Sequence, residues 1–407
     1  MGTNAMMSCT LIGLTTSTAV LGAPQFEIVD IGTFGTGPCG AYDVSESNTA
    51  CGMGTAPNGL NQHAFYWDGE IMHNIPPLNA PAGGHSWGFA MNSHGHVVGY
   101  AYAASGAAFH PYKWTQEDGS VDLGVPTWSA GNYGQAKDIN DSGTVAGLVG
   151  TVPYNIRGCI WINGEMLEVP TFGGDESQCL ALNELNDVVG FSRLESGQMR
   201  GFVVPTGNVD NIIELEAPVG GGAQATDINE QRVVCGWGLN EDGSYHALKW
   251  SIEGGMEFLG EPAGWETFAY DINESGWIVG RAIAPLSLLG AGTEHACAWI
   301  DGEFVLLEDL VINNVDDAEF RFAHGVNENG WIATSLVWDA QDNHAAVLRP
   351  VEPTTGDANG DGVVNTDDVL LVISSWGPCE LPCDGDLNGD GFIDTDDLLA
   401  VLSGWSN

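Results

Sequence analysis

The chain has 407 residues, 43% of them hydrophobic, which is enough for one large folded domain plus a small one and too apolar for general disorder. Its 54 Asp and Glu against 10 Lys and Arg give a formal net charge of -44. Such a surface repels phosphate backbones and anionic lipid, which excludes nucleic acid as a partner, and it suits divalent cations and a saline medium.

In chain order, residues 1–23 come first. Met6 to Ala23 is apolar and rich in small residues, with cleavage points after Ala19 or Ala23. The stretch reads as a secretory signal peptide, so the mature protein is expected outside the cell or at its surface. No other segment approaches 18 apolar residues, so no membrane span is expected. Nine cysteines fit an oxidising compartment, and eight remain if Cys9 leaves with the signal. The close pairs are Cys39 with Cys51, Cys159 with Cys179, and Cys379 with Cys383. Buried free thiols are the alternative, and spacing leaves the connectivity open.

Residues 24–349 repeat one pattern. The segment from Ala269 to Gly280, Ala-Tyr-Asp-Ile-Asn-Glu-Ser-Gly-Trp-Ile-Val-Gly, recurs in degraded form. Aligned on its Asn, the copies have anchors at Ser45, Asn92, Asn140, Asn183, Asn229, Asn273 and Asn327. Seven positions later stand Gly52, Gly99, Gly147, Gly190, Gly236 and Gly280, with Thr334 in the last copy. A second block ends 21 or 22 residues past the anchor: His63–Trp67, His110–Trp114, Arg157–Trp161, Arg200–Val204, His246–Trp250, His295–Trp299 and His344–Leu348. The sixth block lies 26 past its anchor, which places an insertion between Ala282 and Glu294.

Each copy predicts four short strands. Asn at the first and Gly at the fourth position of a tight turn join the first two. The His-to-Trp block is the third strand, and segments such as Val121-Asp-Leu-Gly, Met256-Glu-Phe-Leu-Gly and Phe304-Val-Leu-Leu are the fourth. Four strands in about 45 residues, repeated, predict a mainly β fold, a seven-bladed β-propeller. The last copy lacks a fourth strand, and Phe26 to Gly32 is a spare one, so the two are expected to pair and close the ring. These residues resemble the extracellular HAF repeat family, whose name is spelled by His63-Ala-Phe65; the resemblance covers about residues 26–349 and implies an extracellular repeat fold with no assigned chemistry.

The repeated His or Arg, and Asp43, Asp138, Asp227 and Asp271 two residues before the anchor, are expected to pin strands. A His or Arg to Asp bond inside each blade is one arrangement, although Ala90, Ala181 and Gly325 replace the Asp in three copies. The tryptophans read as core plugs. Acidic pairs such as Asp316 and Asp317 single out nothing, and no nucleophile elbow, metalloprotease helix or phosphate loop occurs, so no catalytic residue is named.

Residues 350–356 form a Pro/Gly linker, and residues 357–407 a separate module without Lys or Arg. Its first loop supplies Asp357, Asn359, Asp361, Val363, Asn365 and Asp368; the second, 29 residues on, supplies Asp386, Asn388, Asp390, Phe392, Asp394 and Asp397. Oxygens at positions 1, 3, 5, 7, 9 and 12, with Gly362 or Gly391 at position 6, suit a hard cation, so two Ca2+ ions are expected. Val363 and Phe392 would ligate through their carbonyls. An apolar helix follows each loop, Val369 to Trp376 and Leu398 to Trp405, and none precedes either.

This duplicated loop-then-helix pattern resembles a type I dockerin. The resemblance implies folding on calcium and attachment to a cohesin module, often in polysaccharide-degrading assemblies. Positions 10 and 11 depart from the family: they are Thr366-Asp367 and Thr395-Asp396, with no basic residue on the helices. The leading expectation is a secreted, non-enzymatic display protein fixed to a cohesin-like partner by its tail. The rival is a hydrolase or lyase carried to carbohydrate by that tail. A third reading is a calcium-stabilised propeller whose tail caps the fold.

Overall fold

The computed structural model describes residues 24–405, apart from 36, 57–58, 79–83, 104–108, 128–132, 152–153, 242, 252, 286–292, 313–317, 339–342, 352–354, 360–362, 380–382 and 384. The signal segment, Asp316 and Asp317, Asp361 with Gly362, and parts of the insertion and linker therefore lie outside the described residues. The larger compact unit spans 24–352, and a second begins at 353.

The larger unit is built of antiparallel strands. Among the described residues, four sheets have four strands each, and one has twelve. The last divides at two one-residue parallel contacts, Phe109 with Tyr133 and Ile156 with Glu176, into three further groups of four. Each group is one sequence copy. The seventh is completed by the N-terminal strand Gln25–Gly32, antiparallel to Asn343–Val351. Val29 opposite Val347 and Ile28 opposite Leu348 set its register, and His344 Nδ1 meets the Asp30 carboxylate at 2.9 Å.

The first strands of the copies are Cys39–Val44, Ser86–Met91, Tyr133–Ile139, Gly173–Leu182, Ala223–Ile228, Glu266–Ile272 and Glu319–Val326. Each adjoins the next, and the seventh adjoins the first, so they form a closed ring. Apolar side chains of neighbouring copies fill the space between groups. Trp161, for example, packs with Ala90 and Val98 of the preceding copy, and Trp250 with Ala181 and Val189. Full burial of such side chains contributes about 1.5–3 kcal/mol each.

The anchor residue ties the ring together. Its side-chain oxygen accepts the N–H four residues on, as from Trp277 to Asn273 at 2.9 Å, closing the tight turn. Its amide donates to the main-chain carbonyl of the next anchor: Asn92 to Asn140, Asn140 to Asn183, Asn183 to Asn229, Asn229 to Asn273, and Asn273 to Asn327, at 3.0–3.1 Å. Asn327 donates to Ser45 at 2.7 Å and closes the circle. Ser45 has no amide, and there Ser47 donates to the Ser93 carbonyl instead.

The glycines seven positions past the anchor have a steric cause. Each first strand bulges by one residue, which brings its carbonyl against the second strand. A Cβ on Gly99 would lie 1.8 Å from the Trp87 oxygen, and one on Gly280 1.9 Å from that of Phe268. Thr334 is tolerated because its inner strand carries a second irregularity, and its hydroxyl donates to the Phe322 carbonyl at 2.7 Å.

The described residues of the smaller unit form two helices, Thr366–Ser374 and Thr395–Gly404. Both start three residues before the predicted apolar runs, because Asn365 and Asp394 cap them in reciprocal capping boxes with Asp368 and Asp397. Val372, Val401 and Ile393 form the centre of its small core.

Asn273→Ala removes the donor of one link and the acceptor that closes its own turn: the Asn327 carbonyl keeps the Gly330 N–H, while the Trp277 N–H loses its partner. A loss of about 1–3 kcal/mol is expected in urea unfolding of the full chain. An unchanged midpoint would show that the circle is held by packing alone.

Candidate functional sites

The seven bulged residues are Tyr42, Phe89, Lys137, Leu180, Thr226, Tyr270 and His324, each three before its anchor. A bulge re-aims a side chain, and here it turns neighbours of one level toward one another. Tyr42 lies 6.4 Å from Phe89 between ring centres, and edge-on to His324 at 5.0 Å. Tyr270 stacks on His324 at 6.2 Å, and the Lys137 Nζ stands 4.1 Å above the Phe89 ring. Burial pushes the Lys137 amine down to about 8 and His324 down to about 4, and it raises Tyr270 to about 12.

One residue further along are Asp43, Asp138, Asp227 and Asp271. Each reaches the next copy: Asp43 accepts from Met91 N–H at 2.7 Å, Asp138 from Leu182 at 2.8 Å, Asp227 from Ile272 at 3.0 Å and Asp271 from Val326 at 2.6 Å. Their pinning role therefore runs between copies and not to the repeated His or Arg. Those basic groups meet other partners. His110 pairs with Asp122, His246 with Glu261, His295 with Glu308 and Arg200 with Glu214, while Arg157 donates to the Asp175 carbonyl.

The four aspartates also face one another. Burial, reinforced by their mutual repulsion, raises Asp43 and Asp138 to about 7 and Asp271 to about 6, and pushes Asp227, which is hydrogen-bonded to Asp271, well above the usual carboxylate range. All four are half-buried.

Sequence reasoning missed two features. The bulged residues sit at a position that changes chemically from copy to copy beside a fixed anchor, and that contrast was the available signal. The residues just after the anchors form an acidic rim: Ser93 N–H donates to Asp141, Asp141 to Glu184, Glu230 to Glu274, Glu274 to Glu328, and Glu328 to Glu46. Elsewhere, a cavity of about 280 Å3 lies between the fourth and fifth copies, where Leu215, Ile228 and Trp250 surround the Arg232–Asp187 ion pair.

In the smaller unit the predicted ligands divide into two sets. Asp368, Asp386 and Asp397 are buried, and no basic residue exists in the module to neutralise them. Asp368 accepts the N–H groups of Ala358, Asn359 and Asn365, and Asp397 those of Leu387, Asn388 and Asp394. Asp386 accepts from Gly389, Asp390 and Gly391, the loop wrapping around its carboxylate. Asn359, Val363, Asn388, Asp390 and Phe392 are exposed, and Asp357, Asn365 and Asp394 half-buried. Asp361 lies outside the described residues. Buried carboxylates without a cationic partner, on loops rich in further oxygens, fit a hard cation. Among the described residues, the donor side chains that gather in a group of three are Cys379, Cys383 and Asp386. The other carboxylates of the second loop stand further apart, each turned onto N–H groups. Cys379 and Cys383 are disulfide-bonded, whereas Cys39, Cys51, Cys159, Cys179, Cys235 and Cys297 are free and buried.

No protein family and no curated protein matches this sequence. Solved structures do. A prolyl endopeptidase is 12% identical over 64% of this chain and 41% of its own, with a TM-score of 0.45. Puromycin hydrolase is 11% identical over 77% and 52%, with a TM-score of 0.47. The BP39L lectin of Burkholderia pseudomallei is 10% identical over 79% and 98%, with a TM-score of 0.38. The chain thus spans about half or less of the two enzymes. The fold is mainly β and propeller-like; likenesses this distant assign neither chemistry nor ligand. No described helix is long and apolar enough to cross a membrane.

The four axial carboxylates make stability depend on pH. Their pKa values are raised on folding from 3.8, so the folded state holds protons more tightly than the unfolded one. The stabilisation is complete below about pH 4 and is lost as pH rises through 6 and 7. The thermal midpoint of the larger unit is expected to fall between pH 5 and pH 8. The double variant Asp43→Asn/Asp138→Asn should flatten that slope; an equal slope would place its origin in the general negative charge.

Proposed function

We propose that the chain is a secreted seven-bladed β-propeller that displays a binding face, fixed to a partner through a calcium-binding, dockerin-like tail. The observation that carries this reading is the duplicated face of the tail. Leu370, Ile373 and Trp376 on the first helix segment are 61%, 53% and 49% exposed. Leu399, Leu402 and Trp405, each 29 residues later, are 60%, 53% and 36% exposed. Two equal apolar stripes on a unit this small exceed what folding requires, and such stripes mark protein contacts.

Calcium fits the same reading. Asp368 and Asp397 both cap a helix and close a loop, so an ion held by a loop also fixes the start of its helix. The acidic positions that a cohesin-like module would meet lie beside the stripes, and Thr366-Asp367 and Thr395-Asp396 there ask for a polar or basic partner rim. Ser244 meets His246 Nε2 at 2.7 Å and His246 Nδ1 meets Glu261 at 3.1 Å, but the sixth copy repeats the arrangement with Thr293, His295 and Glu308, which marks it as part of the repeating frame; binding without chemistry is the reading adopted for the larger unit.

The test is calorimetry and far-UV circular dichroism on the full chain. Two calcium ions should bind per molecule, and chelation should lower the helix signal. Asp397→Asn should weaken one of the two sites by about tenfold or more, because a ligand charge is lost. Leu370→Asp with Leu399→Asp should keep both ions yet abolish calcium-dependent binding to a purified cohesin module. No calcium heat, or cohesin binding untouched by both substitutions, would overturn the proposal.

A further inference from the structure

Basic residues are scarce in this chain, and nearly all are accounted for. Seven of the ten Lys and Arg meet a carboxylate: Arg193, Arg200, Arg232, Lys249, Arg281, Arg321 and Arg349. Arg157 caps carbonyls. Lys137 is different. It stands at the bulged position of its copy, half-buried, with an aromatic face as its neighbour and no carboxylate partner among the described residues. A lysine drawn even partly out of water without a counter-charge leaves its desolvation uncompensated.

Across the ring is a second such arrangement. The Arg281 guanidinium lies over Phe268 at 4.7 Å and Phe322 at 5.3 Å. Its Nη1 holds Glu294, while its Nε is buried with no partner. His324 stands beside it, its ring flanked by Tyr42, Tyr270 and Phe322 and making no hydrogen bond within the described protein. Flat aromatic walls thus bear unused N–H donors on two sides.

We propose that this axial ring binds a small carboxylate-bearing ring compound, its carboxylate on Lys137 and its body against Phe89, Tyr42 and His324. The inference goes beyond the display reading by naming the ligand chemistry, and it stands whether or not the tail binds calcium or a cohesin. The bulge is the device that makes the site. It places one side chain per copy at a common level, while anchor, glycine and turn stay constant. The neighbouring residues Asp43, Asp138, Asp227 and Asp271 do not serve Lys137 as counter-charges, since they are turned onto N–H groups of neighbouring copies.

Isothermal titration of the full chain at pH 7 tests this with four probes: benzoate, glucuronate, inorganic sulfate and neutral benzyl alcohol. One-to-one saturable binding of benzoate or glucuronate is expected, and which of them binds tells an aromatic from a sugar body. Lys137→Met should weaken it at least about tenfold, the loss of one charge-assisted contact. Lys137→Arg should restore part of it, and Lys113→Met, outside the ring, should change nothing. Lys137→Met removes a half-buried charge, so its thermal midpoint should not fall; this confirms that the variant is folded when read. No saturable binding of either ring acid, sulfate binding alone, or binding indifferent to Lys137→Met would overturn the proposal.

Discussion

One hydrogen bond, made six times, organises the larger unit: the amide of an anchor Asn donating to the carbonyl of the next anchor. The same side chain accepts the N–H that closes its own turn. Asparagine is suited to both tasks because its donor and acceptor diverge from one short stem; Asp lacks the donor, and Gln would overreach. Local turn and long-range closure are therefore carried by one residue. Each link is modest on its own, but a buried amide left unpaired costs more than the bond returns. The last link, from Asn327 to Ser45, spans almost the whole unit and works together with the pairing of the N-terminal strand.

Much of this frame is legible in the sequence because its residues answer to backbone constraints. The turn residue three past the anchor has positive φ in all seven copies. Four are Gly, and Asn48, Asn186 and Arg232 fill the rest at φ values near 60°. The sequence signal survives Asn, which tolerates that region, and weakens at Arg232, whose ion pair with Asp187 offsets the strain. The glycines opposite the bulge stand out for the same reason, since a carbonyl occupies the place of their Cβ.

What the sequence hides are choices made between copies. Nothing in Asp43 or Asp138 says whether it bonds within its own sheet or across to the next, because both partners are anonymous backbone N–H groups. The acidic rim is hidden likewise: any Glu after an anchor reads as a solvated surface charge until the next copy is brought beside it. The cysteines follow the same logic. Cys39 and Cys51 look like a pair by spacing, but Cys51 lies opposite Asp43 in the ladder and Cys39 opposite Gly54, so neither meets the other. Among the described residues, the joined pair is Cys379 and Cys383, on the short connection in the smaller unit.

The two units house acid in opposite ways, and this locates the demand for a cation. In the larger unit, carboxylates near the axis are spread around a closed ring, each fed by N–H groups of a neighbour, and their raised pKa values let protons relieve what repulsion remains. Outer carboxylates meet most of the basic residues the chain has. The smaller unit has neither resource. Its carboxylates belong to two short loops, no Lys or Arg follows Arg349, and the N–H groups that hold Asp368, Asp386 and Asp397 supply partial charge only. Two capped helix N-termini add a little more, about 0.3–1 kcal/mol per charge. That sum falls short of neutralising the carboxylates of a unit with so small a core, which is why the proposed divalent ions belong to this unit and not to the ring.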